Sequence, residues 1–395
     1  MNRWPTKPLG EFCRTGSGGT PSRSKPEYYD AGTVPWVKSG ELRDSIILDT
    51  AEKISEVATR ETNARPVPKN TVLVAMYGAT VGKTAILGIE ATTNQAVCHI
   101  IPDDQTADFR FVWYAVRSCS DQLLSKRVGG AQPNISQAII RDTVIPVPPL
   151  AEQRRIVKLL DKADELRKLR AQADRRTATI IPSLFHDMFG DPAINPMGWP
   201  LKSLREVSEK FSDGPFGSNL KSSHYVPTGV RVIRLNNIGV GYLIDDDRAY
   251  IAPEHFEILS KHECLPGDVL VGTLGDPNLR ACVLPPQFGK ALNKADCVQI
   301  RPKKGIAVSE FICWLLNLPS TLSMASGMIS GQTRSRISMG RLAELRVPVP
   351  FVALQKEFAA RVSEIRAMQT EQAVSRRHLD DLFQSLLHRA FQEKL

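Results

Sequence analysis

The chain has 395 residues, 42% hydrophobic and 24% charged, a balance that excludes a wholly disordered polypeptide. Its length is enough for two or three domains, each with a core of its own. Against 51 Lys and Arg stand 42 Asp and Glu, and the resulting +9 favours a polyanionic partner.

In chain order, strand-like runs come first, at Val34 to Val37, Thr71 to Met76 and Ala96 to Ile101, bounded by Gly, Pro and Asn. A short aromatic-rich helix follows over Asp108 to Ser125, with Phe111 and Tyr114 or Ala115 at helical spacing toward a core. Pro146, Pro148 and Pro149 form a hinge ahead of Ala151-Glu152-Gln153. Neither Gly nor Pro interrupts Ala151 to Ile181, which predicts a helix of about 31 residues, roughly 45 Å long. Pro182 should kink or restart it, and Gly190 should end it. The series then recurs. Runs at Val230 to Leu235, Asp268 to Gly272 and Cys297 to Arg301 precede an aromatic helix over Ser309 to Met324, with Phe311 and Leu315 inward. Pro348 and Pro350 then lead into Ala353-Leu354-Gln355 and a second long helix.

The recurrence is an internal duplication. Trp4-Pro5 reappears as Trp199-Pro200, 195 residues on, and Val37-Lys38 as Ile233-Arg234, 196 on. Asn70 to Val74 matches Gly267 to Val271 at 197, and Ile145-Pro146-Val147-Pro148 matches Val347-Pro348-Val349-Pro350 at 202. A slow drift of this kind is what loop insertions between equivalent elements produce. On the first long helix, alternating steps of three and four give Ile156, Leu159, Ala163, Leu166, Arg170, Ala173, Thr177, Ile180 and Leu184. The same positions 202 residues later give Phe358, Arg361, Ile365, Met368, Gln372, Ser375, Leu379, Leu382 and Leu386. These imperfect seams predict two long helices pairing as an antiparallel coiled coil, a rod with a globular segment at each end. Packing of each helix on its own globule is the alternative, disfavoured by the helix length.

Little in the sequence speaks for catalysis. Gly78-Ala79-Thr80-Val81-Gly82-Lys83-Thr84 has three residues between its glycines where a P-loop needs four, and is read as a hairpin turn carrying a lysine. There is no Asn/Asp-Pro-Pro-Tyr/Phe, GxGxxG, HExxH or GxSxG, and the seven histidines are scattered. Seven cysteines without a CxxC pair point to buried reduced thiols rather than disulfides or a zinc site. The apolar runs are shorter than the roughly 20 residues of a membrane span, and Met1 to Pro5 lacks a signal-peptide core. A cytoplasmic protein with no membrane contact, no metal and no cofactor of its own is expected.

The residues now in view resemble those of the specificity (S) subunits of type I restriction-modification enzymes. The closest features are Gly18-Gly19-Thr20-Pro21-Ser22, Tyr28-Tyr29, Pro35-Trp36-Val37, Gly214 to Lys221 and Ile233 to Ile238. Val147-Pro148-Pro149-Leu150-Ala151-Glu152-Gln153-Arg154-Arg155-Ile156 is similar to the family's entry to its first long helix, and Phe185 with Met188 to Pro192 to its exit. The second entry, Val349 to Lys356, departs by losing one proline and the glutamate. The resemblance implies an α+β chain of two similar α/β target-recognition domains separated by the two helices: residues 1–150 and 191–350, with helices at 151–190 and 351–395. It implies a non-catalytic subunit that recognises a bipartite double-stranded DNA target. Two modification (M) subunits would bring S-adenosylmethionine and methylate adenine. Restriction (R) subunits, using ATP and Mg, could join for cleavage.

Candidate DNA contacts are the polar residues in or near predicted loops: Lys38, Arg43, Tyr77, Thr80 and Lys83 in the first copy, and Asn219, Lys221, Arg234, Asn236, Arg280, Arg334 and Arg336 in the second. For each, phosphate contact or solvated surface competes with base reading. Candidate contacts to M subunits or along the helix seam are Arg154, Arg155, Ile156, Lys158, Phe358, Arg361 and Ile365. The rival readings are an unrecognised DNA-modifying enzyme, nuclease or methyltransferase, and a coiled-coil scaffold without DNA specificity.

Overall fold

The computed structural model describes residues 4–127, 134–275, 277–331 and 335–392. The chain divides into two compact units, residues 1–171 with 374–395, and residues 172–373. The fold is α+β and duplicated.

In the first unit a five-stranded sheet has the order Cys13–Ser17, Val97–Pro102, Val72–Ala75, Thr84–Leu87, Ser45–Ile47, with only the last pair parallel. Successive side chains of a strand point to opposite faces. Val72 and Val74 therefore join one core, with Ile86, Cys98 and Ile100, while Leu73 and Ala75 join another with Ala85, Leu87 and Val97. Burial on both faces explains why Val72 to Ala75 is apolar throughout instead of alternating. A three-stranded sheet, Lys53–Ile54, Val34–Val37 and Thr92–Thr93, lies beside it in sequence. The aromatic helix Phe109–Ser118 starts where the Asp108 carboxylate accepts the amides of Arg110 and Phe111, at 2.9 and 3.2 Å. It buries Phe111 to Val116 on the first core.

The second unit repeats this plan with antiparallel strands Ser208–Ser212, Cys297–Pro302, Val269–Gly272 and Arg280–Val283. A second, five-stranded sheet pairs Val230–Ile233 in parallel with Ala291–Asn293. The helix Ser309–Asn317 buries Phe311 to Leu316. Both units close in the same way. Thr6–Pro8 pairs with Val144–Pro146 and Leu201–Ser203 with Arg346–Pro348, so the repeated Trp-Pro and Pro-rich segments are two strands of one small sheet.

The long helices span Leu150–Thr177, Ile180–Phe189 and Val352–Phe391. In the first unit Ile156, Val157, Leu160 and Ala163 share one core with Phe383, Leu387, Ala390 and the aromatic helix. In the second, Phe358, Val362 and Ile365 share one with Ile181, Phe185, Phe189 and Phe311. The stacked Phe185–Phe311 pair, 5.5 Å between centroids, lies at its centre. Three expectations are corrected here. Each long helix does pack on a globule, because its first turns cover the aromatic helix, and it pairs with the other helix there as well. The buried stripe also steps from Ile156 to Leu160 and Ala163, leaving Leu159 and Leu166 exposed, since the helix must turn a face to the globule that the strict three-four seam does not. The first helix also stops at Thr177, short of Ile181, and restarts at Ile180. Pro182 cannot donate to the carbonyl of Ala178 and its ring would clash there, so the break falls four residues upstream of the proline. Gly190 ends the restarted helix at φ 77°, as its position in the sequence implies.

Candidate nucleic-acid interface

A shared hydrogen-bond frame positions the candidate residues in each unit. In the first, the amide of Met76 donates to Ala96 O at 2.8 Å, Ile135 N to Met76 O at 2.7 Å, and Asn94 N to Val37 O at 2.9 Å. In the second, Thr273 N donates to Asp296 O at 3.0 Å, Ile337 N to Thr273 O at 3.0 Å, and Lys294 N to Ile233 O at 2.9 Å. Lys38 N donates to the Glu41 carboxylate at 3.0 Å and Arg234 N to the Asn237 amide oxygen at 2.9 Å, so these two cations leave equivalent turns. Close backbone approach makes glycine necessary beside this frame: a Cβ on Gly18 would meet Thr93 O at 1.7 Å, and one on Gly214 the Lys294 carbonyl carbon at 2.2 Å.

In the first unit the strands Val72–Ala75 and Thr84–Leu87 form the expected hairpin, with Gly78 and Gly82 at positive φ in its turn. Thr80 donates to Ser39 O at 2.8 Å, and Lys83 lies 3.4 Å from Asp44, next to the exposed Arg43. Tyr77 bridges to Asn134. Lys38, Arg43, Tyr77, Thr80 and Lys83 are thus drawn to one hairpin and the loop under it. Lys38 shares Glu52 with Arg23, Nζ to Oε2 being 2.9 Å, and the two cations, Arg23 foremost, hold the Glu52 carboxyl down to about 2. Arg23 lies 4.1 Å above the Tyr29 ring, whose edge meets Trp36.

In the second unit Arg234 pairs with Asp247, and Arg234 and Lys294 flank the Tyr225 ring at 5.8 and 5.6 Å. Asn236 is exposed next to them. Leu274 bridges to Arg336, and Gly275 N donates to Ser335 O at 3.1 Å, close to the Arg280 guanidinium. Arg336 Nε lies 2.7 Å from Asp296, above Phe216 at 5.6 Å. Burial, with the charge of Asp296, pushes the neighbouring Asp213 carboxyl up to about 6. Asn219 and Lys221 occupy another turn, where their backbones bond to His255 and His224. Arg334 lies outside the described residues.

Of the helix candidates, Ile156, Phe358 and Ile365 are buried in the two cores. Arg154, Arg155, Lys158 and Arg361 are exposed, Arg155 paired with Glu152 and Arg361 with Glu357. Arg154, Arg155 and Lys158 line an open groove with Val157, Leu159 and Lys162. Sequence reasoning missed two buried glutamines. Gln153 accepts Asp108 N at 2.9 Å and donates to Thr106 O and Pro148 O; Gln355 accepts Val308 N at 2.9 Å and donates to Ile306 O and Pro350 O. Each ties the hinge to the start of its aromatic helix. Their recurrence 202 residues apart was a readable signal.

All seven cysteines are free, and burial pushes the thiols of Cys13, Cys98, Cys264 and Cys282 up to about 12. Among the described residues no group of His, Cys, Asp and Glu is arranged to hold a metal, and no helix is long and apolar enough to cross a membrane.

The chain is thus built from two copies of one α+β unit, each with cations and aromatic rings at a rim of turns. Residues 1–174 match the family model described as the type I restriction modification DNA specificity domain. The chain is 28% identical over 165 residues to the EcoR124I/EcoR124II specificity subunit of Escherichia coli, an alignment spanning 40% of this chain and 41% of that protein. It is 22% identical over 387 residues to the MjaVIII specificity subunit of Methanocaldococcus jannaschii, spanning 92% of this chain and 86% of the relative. Two solved structures share the fold: a chain of a type I restriction-modification system (20% identity, TM-score 0.65, 99% and 98% of the two chains) and the S subunit from M. genitalium (17%, 0.55, 99% and 96%). Residues 1–174 thus carry the likeness to that DNA specificity domain, and the chain as a whole is similar to type I specificity subunits in sequence and fold.

Proposed function

We infer that the chain is the sequence-recognition subunit of a type I restriction-modification assembly. Each unit reads one half of a bipartite duplex target, and partner subunits perform the chemistry. The observation that carries this reading is the duplicated frame with different side chains on its rim, which suits two different half-sites read by one scaffold. Lysines and arginines around the frame supply sequence-independent phosphate attraction, and a few side chains read base edges in the grooves. The exposed basic and apolar face of the first long helix, from Arg154 to Lys162, suits a modification subunit. The chain itself is non-catalytic and holds no cofactor; two modification subunits bring S-adenosylmethionine, and restriction subunits, where present, bring ATP and Mg. The assembly works on cytoplasmic DNA.

Mapping methylated adenines in cells that express the chain with its modification subunit tests this. A two-part site with an unread gap is expected, and no methylation without the partner. Methyl transfer by the purified chain alone, or methylation indifferent to sequence, would sink the reading.

A further inference from the structure

Comparison of the two frames separates shared from unshared chemistry. Lys38 and Arg234 leave equivalent turns and both pair with an acid, Glu52 or Asp247. Lys83 and Arg280, each following the residue that closes the hairpin turn (Gly82 N to Ala75 O, Leu279 N to Gly272 O), are again both basic. Shared cations suit the task both units have in common, contact with phosphate. The bridges Tyr77–Asn134 and Leu274–Arg336 place an amide in one unit where the other has a guanidinium. Ala96 and Asp296, whose carbonyls accept the equivalent amides of Met76 and Thr273, set a methyl in one unit against a carboxylate in the other. An arginine and its carboxylate partner thus enter together at two positions of an otherwise common backbone.

The geometry of this pair suits a reader. Asp296 lies 2.7 Å from Arg336 Nε, with side-chain exposures of 20% and 43%, so the acid is half-hidden and the guanidinium reaches outward. The approach lacks hydrogen-bond geometry, and among the described residues nothing takes the Nε proton, so charge holds the group without using that donor. The Phe216 ring lies against the guanidinium, its centre 5.6 Å from Arg336 Cζ. A planar fork oriented by a carboxylate and an aromatic face matches the two major-groove acceptors of guanine, O6 and N7. We propose that Arg336 reads a guanine in the half-site of the second unit, with Asp296 and Phe216 as positioning residues. This rests on the reading of the chain as a DNA-recognition subunit.

Selection from a randomised duplex library by the full chain assembled with its modification subunits tests it. The wild type should enrich a site whose second half contains a G·C pair. Arg336→Ala should lose preference at that pair by about 10- to 100-fold and leave the first half-site unchanged. Arg336→Lys keeps the charge and the stem over Phe216 but not the fork, and should lose the same preference, which carries the test if the alanine variant fails to fold. Asp296→Asn should relax the same base pair partially. A uniform loss of affinity across all sequences, with a salt slope smaller by about one, would make Arg336 a phosphate contact and overturn the proposal. So would a retained preference, or an affected pair that is A·T. Wild-type protein that enriches no site would overturn the recognition reading and this inference together, whereas an enriched site insensitive to Arg336 would overturn this inference alone.

Discussion

At the rim of the first unit stand Lys38, Asn94, Ala96 and Asn134; at the equivalent backbone positions the second has Arg234, Lys294, Asp296 and Arg336. Beneath them the bonds barely change, since the Met76–Ala96 and Thr273–Asp296 contacts differ by 0.2 Å and the Asn94–Val37 and Lys294–Ile233 contacts not at all. Backbone bonds can be kept while side chains on turns diverge, because a turn residue owes its neighbours φ and ψ rather than volume. The first rim is rich in amides, the second in charge. Duplication has conserved what holds the loops and released what they present.

The largest effect should come from breaking the shared frame. Gln153→Ala leaves the Asp108 amide and the Thr106 and Pro148 carbonyls without their partner, and Gln355→Ala does the same to Val308, Ile306 and Pro350. Buried groups that lose their bonds cost about 1–3 kcal/mol each, partly recovered by water, so about 3 kcal/mol is expected for either variant. Denaturant midpoints measure it. Similar losses sharpen the claim of a common frame, and a large loss in one copy with none in the other would break it.

A smaller effect separates the two rims by pH. The Asp213 carboxyl sits above its usual range, at about 6, through burial first and then the Asp296 charge, opposed by Arg336. A raised carboxyl pKa means that the folded state holds the proton more tightly. Stability from this group is therefore greatest below about pH 4, falls as pH rises to about 6, and is flat beyond. Asp213→Asn keeps the oxygen that accepts Gly214 N at 2.8 Å while removing the charge. The variant should match the wild type near pH 4 and exceed it by about 1–2 kcal/mol at pH 7. His262, whose ring meets the Asp213 carbonyl, titrates in both proteins and so drops out of the difference. Parallel pH profiles of the two would remove the burial argument.

Much of the fold was legible because its signals are local or repeated. Val34–Val37 is the strand that its short run between turn residues predicts, and Gly190 ends a helix as a glycine there should. The hinge and the aromatic helices were readable from their recurrence. The buried face of the first long helix was not, because Ile156, Leu159 and Leu160 are equally apolar in sequence and only the aromatic helix beneath selects between the last two. The rim was half legible. Arg234 and Arg336 stood out as cations near turns, but Asp296, Phe216 and Tyr225 gain meaning only from a fold that brings residues 216, 296 and 336 together.

The smallest effect concerns the lysine of the hairpin turn. Lys83 lies 3.4 Å from Asp44, with 57% of its side chain exposed, so the pair contributes a few tenths of a kcal/mol at most. Of the groups that hold Asp44 ionised, Lys83 contributes least. Burial pushes that carboxyl up, but hydrogen bonds from Thr84 Oγ1 at 2.8 Å and Thr84 N at 3.1 Å outweigh burial and hold it below the usual range. The surrounding bonds are those of a turn, Val81 N to Gly78 O at 3.2 Å and Lys83 N to Thr80 O at 2.9 Å, followed by a strand rather than the helix that a phosphate-cradling loop opens. Lys83→Ala should therefore leave the unfolding midpoint within error. If Lys83 touches DNA, the contact is with phosphate, and the variant should bind all sequences more weakly by one factor, with a salt slope smaller by about 0.9. Arg280→Ala should behave alike, since it holds the equivalent place in the second unit. A change of preferred bases in either variant would put the reading function at the hairpin instead of at Arg336, and detectable ATP binding abolished by Lys83→Ala would show that the turn is a nucleotide site after all.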